Sequence, residues 1–405
     1  MEIRSVTLFS EPTNDLSTVA RFFEATNDRF AVPLQTRRVA FPPFPGWWNA
    51  AVPTASQAGD IAARWQQAGA DYLCLGPVQL QHDVQWLERL PEILAATGVL
   101  FASAEIADTN GHIGVGRCHT VARLIKNAAL IRQDGFGNLY LTALANCPPG
   151  SPFFPVAYQQ PGAPTTFALA LEAADLALTA IQGAASLSEA RSNLQAALES
   201  QARELQATAE DLARSQGIAF GGIDFSLAPY PKEARSLAAA LEALGPGHIA
   251  APGSLFAAAF IAEAVDRAHF HRCGFSGLML PVLEDAVLAR RAAQRRVTVS
   301  DLLNFAAVCG VGLDTIPLPG DIAADVLAGI LLDVAALATR LRKPLTARLM
   351  PLPGLAAGDA VHFDFPYFAD SRVMSLTAAG VSGLLSGDET ISLRSLESRR
   401  GEHGS

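Results

Sequence analysis

Short apolar runs typical of β-strands alternate with amphipathic helical patterns along most of the chain. In its N-terminal part we predict strands at Arg4–Phe9, Thr36–Ala40, Tyr72–Leu75 and Val99–Ala104, with helices at Leu16–Thr26 and Ala55–Ala68. Alternation of this kind indicates βα units, which build a mostly parallel sheet with helices packed on it. The chain is therefore expected to be an α/β protein.

The same alternation continues in the C-terminal part. Strands are predicted at Leu139–Leu144, Ile218–Asp224, Gly277–Pro281, Val311–Thr315, Leu345–Met350 and Val361–Phe365. The segment Phe167–Ser215 differs, because it is rich in Ala and Leu with apolar residues at spacings of three and four, which predicts a helical insertion near residues 167–216. We expect these helices to pack on the outside of the sheet, with an oligomer interface as the alternative.

Domain boundaries follow from the same patterns. No low-complexity linker interrupts the alternation of strands and helices, so residues 1–387 are expected to form one domain. The polar residues 388–405 are expected to form a frayed tail. Asp321 precedes the helical run IAADVLAGILLDVAALATRLR and is predicted to cap its N-terminus.

Charge and cysteine content exclude several classes of protein. The formal net charge is −9, and the densest basic run, Arg290 to Arg296, has the pattern of a solvated helix face, so nucleic-acid binding is not expected. The five cysteines form no CxxC pair, which fits a reducing compartment. The N-terminus lacks the apolar core of a signal peptide, and no window approaches ~20 uncharged apolar residues. The sequence thus predicts a soluble, cytoplasmic protein without a membrane span.

Carboxylates follow several predicted strands, where ligand sites of parallel βα folds lie. The carboxylates are Asp224, Glu284, Asp285, Asp314, and either Asp364 or Asp370. Ser226 lies two residues after Asp224 and is predicted to contact the substrate. Converging carboxylates can act as general acid and base, or hold a divalent cation such as Mg²⁺, Mn²⁺ or Ca²⁺. For the cation we consider Asp224, Asp314 and Asp321. Each carboxylate could instead bond the backbone of a turn.

Three further groups complete the candidate site. Arg348 and Lys343 could bind the negative group of a substrate, and His119 follows the Gly-rich turn GHIGVGR, which either presents N–H groups to an anion or is only a tight turn. Cys309, in FAAVCGVGLD, is either a nucleophile or a small buried apolar residue. If the site is correct, Asp224, Asp314 and Arg348 face one shared cavity.

Several long strings resemble one protein family, the domain of unknown function 711. They are GGIDFSLAP, CGFSGLMLPVLED, CGVGLDTIPLPGD, KPLTARLMPLPG, FPYF, FFPVAYQ with LEAADL, and more faintly QTRRV. The resemblance covers roughly residues 100–375 and implies a fold similar to the ten-stranded α/β barrel of pyruvate formate-lyase. The chain lacks the glycyl-radical motif of those enzymes, and Gln159 stands where the family resemblance leads us to expect His.

These observations favour an enzyme that acts on a small polar or anionic metabolite, using carboxylates for acid/base or metal-assisted chemistry. One alternative is a non-catalytic metabolite sensor built on the same pocket. Another is a thiol enzyme that uses Cys309.

Overall fold

A computed structural model describes residues 1–48, 54–309, 311–376 and 379–397, with residue 309 described by its backbone alone. The strands are β1 (Glu2–Phe9), β2 (Arg37–Ala40), β3 (Tyr72–Val78), β4 (Leu100–Ala107), β5 (His112–Gly114), β6 (Leu141–Ala145), β7 (Thr166–Glu172), β8 (Ala219–Ala228), β9 (Gly312–Pro319), β10 (Leu345–Leu352), β11 (Ala360–Val361), β12 (Ser371–Arg372) and β13 (Thr390–Ser392). The α-helices are α1 (Leu16–Ala25), α2 (Ala55–Gln67), α3 (Gln85–Ala95), α4 (Val115–Ala129), α5 (Ala174–Gln182), α6 (Leu187–Gln216), α7 (Leu237–Ala243), α8 (Ser254–Arg267), α9 (Ala286–Ala293), α10 (Val299–Cys309) and α11 (Ala324–Leu341).

One large, mostly parallel sheet organises the fold. Its strands lie in the order β8-β7-β1-β2-β3-β4-β6-β10-β9, with β5 and β13 attached beside β4. The strands from β1 to β6 in this order are parallel to one another, as are β7 with β8 and β9 with β10. Only the junctions β1–β7 and β6–β10 within this order are antiparallel. The starts of β1–β4 therefore lie at the same edge as the ends of β7 and β8. The predicted α/β class with a mostly parallel sheet is confirmed.

The two outermost strands, β8 and β9, both contact the segment 277–282. The N–H of Met279 donates to the carbonyl of Ser226 (3.1 Å), and the N–H of Val282 donates to the carbonyl of Asp314 (3.0 Å). A strand is predicted at Gly277–Pro281, but the segment forms one isolated bridge, between Pro281 and Asp314, instead of a ladder, in part because Pro281 has no N–H to donate. Regular pairing therefore runs through nine strands in a row, and the ten-stranded barrel stays a prediction.

The predicted helical insertion is wrong at its start. Residues Thr166–Glu172 form β7, which pairs with β1 on one side and β8 on the other. Its sequence TFALALE is as apolar as a helix core, and only its pairing on both edges explains why it is extended. The long helix begins later, at Leu187, capped by the Ser186 side chain, and ends at Gly217 with a left-handed φ of 67°.

Three other predictions are corrected near the C-terminus. Helix α11 begins at Ala324 and has no side-chain cap, because its N-cap position is Ala323 and Asp321 lies outside it. Of the strand predicted at Val361–Phe365, only Ala360–Val361 pairs, in a small hairpin with β12. Thr390–Ser392, placed in the frayed tail by the sequence, pairs with β5 in the main sheet. Residues 398–405 lie outside the described part.

Helix α6 illustrates how the helices cover the sheet. Its buried residues recur at spacings of three and four along 30 residues: Ala190, Leu194, Leu198, Ala202, Leu205, Ala209 and Leu212. Each fully buried Leu of this kind stabilises the fold by about 1.5–3 kcal/mol. No helix in the described ranges is both long and apolar enough to cross a membrane.

Candidate functional site

A cavity of about 290 Å³ opens at the edge where β1–β4 begin. Its walls come from residues near the starts of these strands, from segments 132–142 and 153–156, from segment 279–284 with β9 and β10, and from segment 363–367. The starts of β1–β4 contribute because the junction with β7 is antiparallel, which brings strand starts and strand ends to one edge.

Part of the cavity wall belongs to a buried loop, which we call the central loop (residues 151–159) and of which residues 153–156 line the cavity. Every residue of it is buried. The hydroxyl of Thr7 on β1 donates to the carbonyl of Pro152 (2.9 Å), and the thiol of Cys74 on β3 donates to the carbonyl of Pro155 (3.4 Å). Side chains of β1 and β3 thus hold the loop against the sheet, and Phe153 and Phe154 reach the cavity.

Arg348 and Asp314 form a bidentate ion pair in one wall. Pairing of β9 with β10 shifts register between Ala347 and Leu349, so that Asp314 and Thr315 both stand opposite Arg348. This is a β-bulge, and Thr315 adopts a left-handed φ of 46° within it. Arg348 donates through Nε and Nη2 to the two oxygens of Asp314, the second at 2.9 Å. A bulge of this kind re-aims side chains, here bringing the Asp314 carboxylate to the guanidinium fork.

Glu284 joins this pair to a second arginine. Its two oxygens accept from Arg348 Nη2 (2.9 Å) and from Arg4 Nη2 (2.6 Å). Arg4 also contacts Glu172 at 3.4 Å, and Glu172 is shared with Arg235. The side chains of Glu284 and Arg348 are only 7% and 9% exposed, so this is a largely desolvated network. Removing one member would leave a buried charge without its partner.

Among the carboxylates that line the cavity, Asp314 and Glu284 are poor general bases in this arrangement. Both oxygens of Asp314 and both oxygens of Glu284 accept hydrogen bonds from guanidinium groups. Burial raises the pKa of Asp314, while Arg348 opposes that rise. A carboxylate whose two oxygens both accept from guanidinium groups is held in a fixed orientation, which suits a structural or binding role better than proton abstraction.

Arg38 is the cation of the cavity that has no carboxylate contact among the described residues. It is 9% exposed, its Nε donates to Thr36 Oγ1 (2.9 Å), and its guanidinium lies 5.1 Å from the ring centre of Phe154 and 5.9 Å from that of Tyr72. Burial, reinforced by nearby Arg4, lowers the pKa of Arg38 to about 9, although the more distant Glu284 carboxylate opposes the shift. A buried cation without a partner is costly unless a ligand supplies the opposite charge.

Aromatic side chains form most of the remaining wall. Ten of them line the cavity: Tyr72, Phe101, Phe136, Tyr140, Phe153, Phe154, Phe275, Phe363, Phe365 and Tyr367. Several meet edge to face, as Phe101 does with Tyr72 (5.6 Å, 88°) and with Phe154 (5.3 Å, 62°). The site therefore joins a small charged region to a large aromatic one, a pattern typical of small-molecule sites.

Asp224 and Ser226 lie on β8, outside the cavity lining. Asp224 is completely buried and accepts from the N–H groups of Phe275 (2.7 Å) and Ser276 (2.8 Å) and from the Ser226 hydroxyl. The turn it holds is tight, since a Cβ at Gly274 would collide with the Asp224 carboxylate. Burial raises the pKa of Asp224 to about 6. This carboxylate fixes the turn that carries Phe275 into the cavity wall.

The structure brings Asp314, Arg348 and Glu284 to one cavity and leaves Asp224 outside its lining, so the shared cavity predicted for Asp224, Asp314 and Arg348 is not formed. Metal binding by Asp224, Asp314 and Asp321 is not supported, because these three side chains do not converge. No group of three or more His, Cys, Asp or Glu side chains in the described ranges could hold a metal ion.

Asp285, predicted beside Glu284, is a helix cap. Its carboxylate accepts from the N–H groups of Val287 and Leu288 (both 3.0 Å) at the start of α9, and from the hydroxyl of Ser236 and the N–H of Ala238 (3.0 Å) at the start of α7. Four donors saturate this buried group, so it is not available to a substrate.

Lys343 and His119 lie away from the cavity as well. The ammonium of Lys343 donates to the carbonyl of Ala307 (3.1 Å) near the end of α10. His119, on α4, is within hydrogen-bond distance of the Leu385 carbonyl (2.9 Å), and so contacts the C-terminal segment. Both predicted substrate ligands therefore bind protein backbone.

The side chain of Cys309 lies outside the described residues, so its predicted role stays a prediction. The described thiols are free. Burial raises the pKa of Cys74, Cys118 and Cys147 to about 12, which makes them unreactive near neutral pH.

Arg4 and Arg38 are the functional candidates that sequence reasoning missed. Ligand sites of parallel βα folds are expected at the ends of strands, whereas these two residues stand near strand starts. A signal was nevertheless present, since each is an arginine inside a predicted strand, Arg4–Phe9 and Thr36–Ala40. A long charged side chain in such a strand must face a pocket, a partner charge or solvent.

Comparisons with known proteins give a consistent family. The family described as "Uncharacterised ACR (DUF711)" matches residues 2–371. A UPF0210 protein from Pyrobaculum arsenaticum is 34% identical over 281 residues, which is 67% of this chain and 61% of that protein. A UPF0210 protein from Methanopyrus kandleri is 31% identical over 357 residues, 83% of this chain and 78% of that protein.

A UPF0210 protein from Corynebacterium glutamicum is 26% identical over 394 residues, which is 90% of this chain and 82% of that protein. The match to the Pyrobaculum protein thus spans about three fifths of that relative's length. Because the family match extends over nearly all strands of the main sheet, the chain belongs to the DUF711 (UPF0210) family.

Proposed function

We propose that this protein binds a small organic anion in the cavity, with the negative group on Arg38. The observation that carries the proposal is an arginine, Arg38, that is only 9% exposed, lines a cavity and has no carboxylate contact among the described residues. An anion would supply the missing charge through charge-assisted hydrogen bonds.

The charges around the cavity support this reading. Inside it, three arginines (Arg4, Arg38 and Arg348) face two carboxylates (Glu284 and Asp314). Both carboxylates are engaged by Arg4 and Arg348. At the mouth Arg132 pairs with Asp134, and Asp364 is exposed to solvent. Arg38 is therefore the position at which an incoming anion gains most.

The test is calorimetric titration with three anions, 3-phenylpropionate, hexanoate and phenyl phosphate, near neutral pH. We expect at least one to bind, and Arg38→Met to weaken it about 10- to 100-fold, since a hydrogen bond to a charged group contributes roughly 1.5–3 kcal/mol.

Arg37→Met is the matched control, because Arg37 stands on the same strand but donates to Thr26 and Asn27 away from the cavity. Its affinity should stay within about twofold of the wild type. Failure of all three anions to bind, or equal affinity of Arg38→Met and wild type, would overturn the proposal.

A second candidate function is catalysis on the bound anion. Glu284 and Asp314 line the same cavity as Arg38, and an anion that competes for Arg348 would release the Asp314 carboxylate to act as a base. Mass spectrometry of a metabolite mixture incubated with the protein tests this. Conversion lost in Asp314→Asn, with binding retained, supports an enzyme; binding without conversion by the wild type supports a sensor.

The fold and location are proposed on separate grounds. We propose that segment 277–282 closes the sheet into a ten-stranded barrel, supported by its hydrogen bonds to both β8 and β9. The free thiols of the described cysteines support a reducing, cytoplasmic compartment.

A further inference from the structure

We infer that the anion is a monoanionic aromatic acid, with its carboxylate on Arg38 and its ring against the aromatic wall of the cavity. The inference rests on the proposed function, because it specifies the ligand of the same site. Two features carry it: the number of uncompensated charges and the arrangement of the rings.

The charge of the ligand follows from the network. Arg348 is engaged by Asp314 and Glu284, and Arg4 by Glu284 and Glu172. Among the arginines of the cavity that the structure describes, Arg38 alone can take a new negative charge without breaking an existing pair. A dianion would carry a second charge into a desolvated site that has no free cation among the described residues, which disfavours it.

The body of the ligand follows from the rings beside Arg38. Phe154 and Tyr72 flank its guanidinium at 5.1 and 5.9 Å, and Phe101 contacts both of these rings edge to face. A ligand whose negative group binds Arg38 must therefore place the atoms bonded to that group among these rings.

A second group of rings lines the same cavity. Phe136 contacts Phe365 (5.1 Å) and Phe363 (5.7 Å), and Phe365 contacts Tyr367 (5.3 Å). A flat ring in the cavity can meet such neighbours in offset or edge-to-face geometry, which aromatic pairs prefer and a saturated ring cannot reproduce. The cavity lining therefore favours a ligand that carries an aromatic ring.

The experiment compares two ligands of equal charge and nearly equal size, 3-phenylpropionate and 3-cyclohexylpropionate. We expect the aromatic acid to bind the wild type about three- to tenfold more tightly, the gain typical of an aromatic pair beyond burial. The neutral amide of the aromatic acid and the dianion phenyl phosphate should both bind more weakly than 3-phenylpropionate.

Phe154→Leu provides the matched variant, since it keeps an apolar side chain but removes a ring beside Arg38. It should reduce the preference for the aromatic acid to less than about twofold. If it does not fold, the comparison of ligands on the wild type still decides the question.

The outcomes separate this inference from the proposed function. If 3-cyclohexylpropionate binds as tightly as 3-phenylpropionate, the aromatic assignment is wrong while anion binding at Arg38 stands. If phenyl phosphate binds most tightly, the single charge is wrong. If no anion binds, both proposals fall together.

Discussion

Glu105 lies on β4 and is only 6% exposed, although it carries an ionisable group. It accepts from the N–H of Leu80 (2.8 Å), and Arg117 stands nearby with its Nη2 donating to the carbonyls of Leu80 (3.1 Å) and His82 (2.7 Å). Burial raises the pKa of Glu105 to about 7, with Asp108 adding to the rise.

This shift makes stability depend on pH. A carboxyl whose pKa is higher in the folded state contributes stability that is present below its unfolded value of about 4.5 and lost as pH rises through about 7. We expect Glu105→Gln, which keeps the acceptor for Leu80, to raise the free energy of unfolding at pH ~8 by on the order of 2–3 kcal/mol, and by much less at pH ~5.

Urea unfolding of both proteins at the two pH values measures this difference. Glu88→Gln is the control, because Glu88 is exposed on α3 and its removal should change stability equally at both pH values. A Glu105→Gln effect that does not vary with pH would contradict the expectation.

Residue by residue, the sequence located part of the site. Asp314, Glu284 and Arg348 were predicted and do face one cavity. Asp224 and Asp285 have the same residue type and similar positions after a strand, but they bond backbone groups. Sequence alone cannot distinguish a carboxylate that faces a ligand from one that accepts from backbone N–H groups, because the outcome depends on which loop folds over the end of the strand.

At the scale of elements, Asp285 joins two helices. It accepts hydrogen bonds at the starts of both α7 and α9. We expect Asp285→Ala to lower the free energy of unfolding by about 2–4 kcal/mol, because it leaves several buried donors without an acceptor.

Asp285→Asn should recover part of this loss, since Asn is also a good N-cap. Asp321→Ala is the matched control and should change stability by no more than about 0.5 kcal/mol, because Asp321 is exposed and does not cap α11. Denaturant unfolding provides the measurement, and equal effects of the two alanine variants would contradict the assignment of Asp285 as a double cap.

Strands and helices were largely predictable where apolar residues recurred at a regular spacing along the sequence. β1, β2, β3 and β10 appear close to their predicted ranges. β7 was missed because its apolar sequence leads into the helices α5 and α6, and its extended form depends on the ladders with β1 and β8. Long-range pairing of this kind has no local signature.

At the scale of the whole molecule, segment 277–282 decides whether the sheet is open or closed. If it closes the sheet, the amides of Met279 and Val282 are as inaccessible as those of the regular ladders. Native-state hydrogen exchange should then show both amides exchanging at least ~100-fold more slowly than the exposed turn amide of Asp359. Exchange of Met279 and Val282 at the rate of Asp359 would contradict closure.

The central loop has a consequence for how a ligand preference could change. Residues 153–156 of the central loop line the cavity, whereas the sheet is held by ladders in which these residues take no part. Substitutions there can alter the depth and shape of the cavity while every strand pairing stays intact. Scaffold and selectivity are thus encoded by different stretches of chain, so redesign of the pocket for another ligand would begin at Phe153 to Val156.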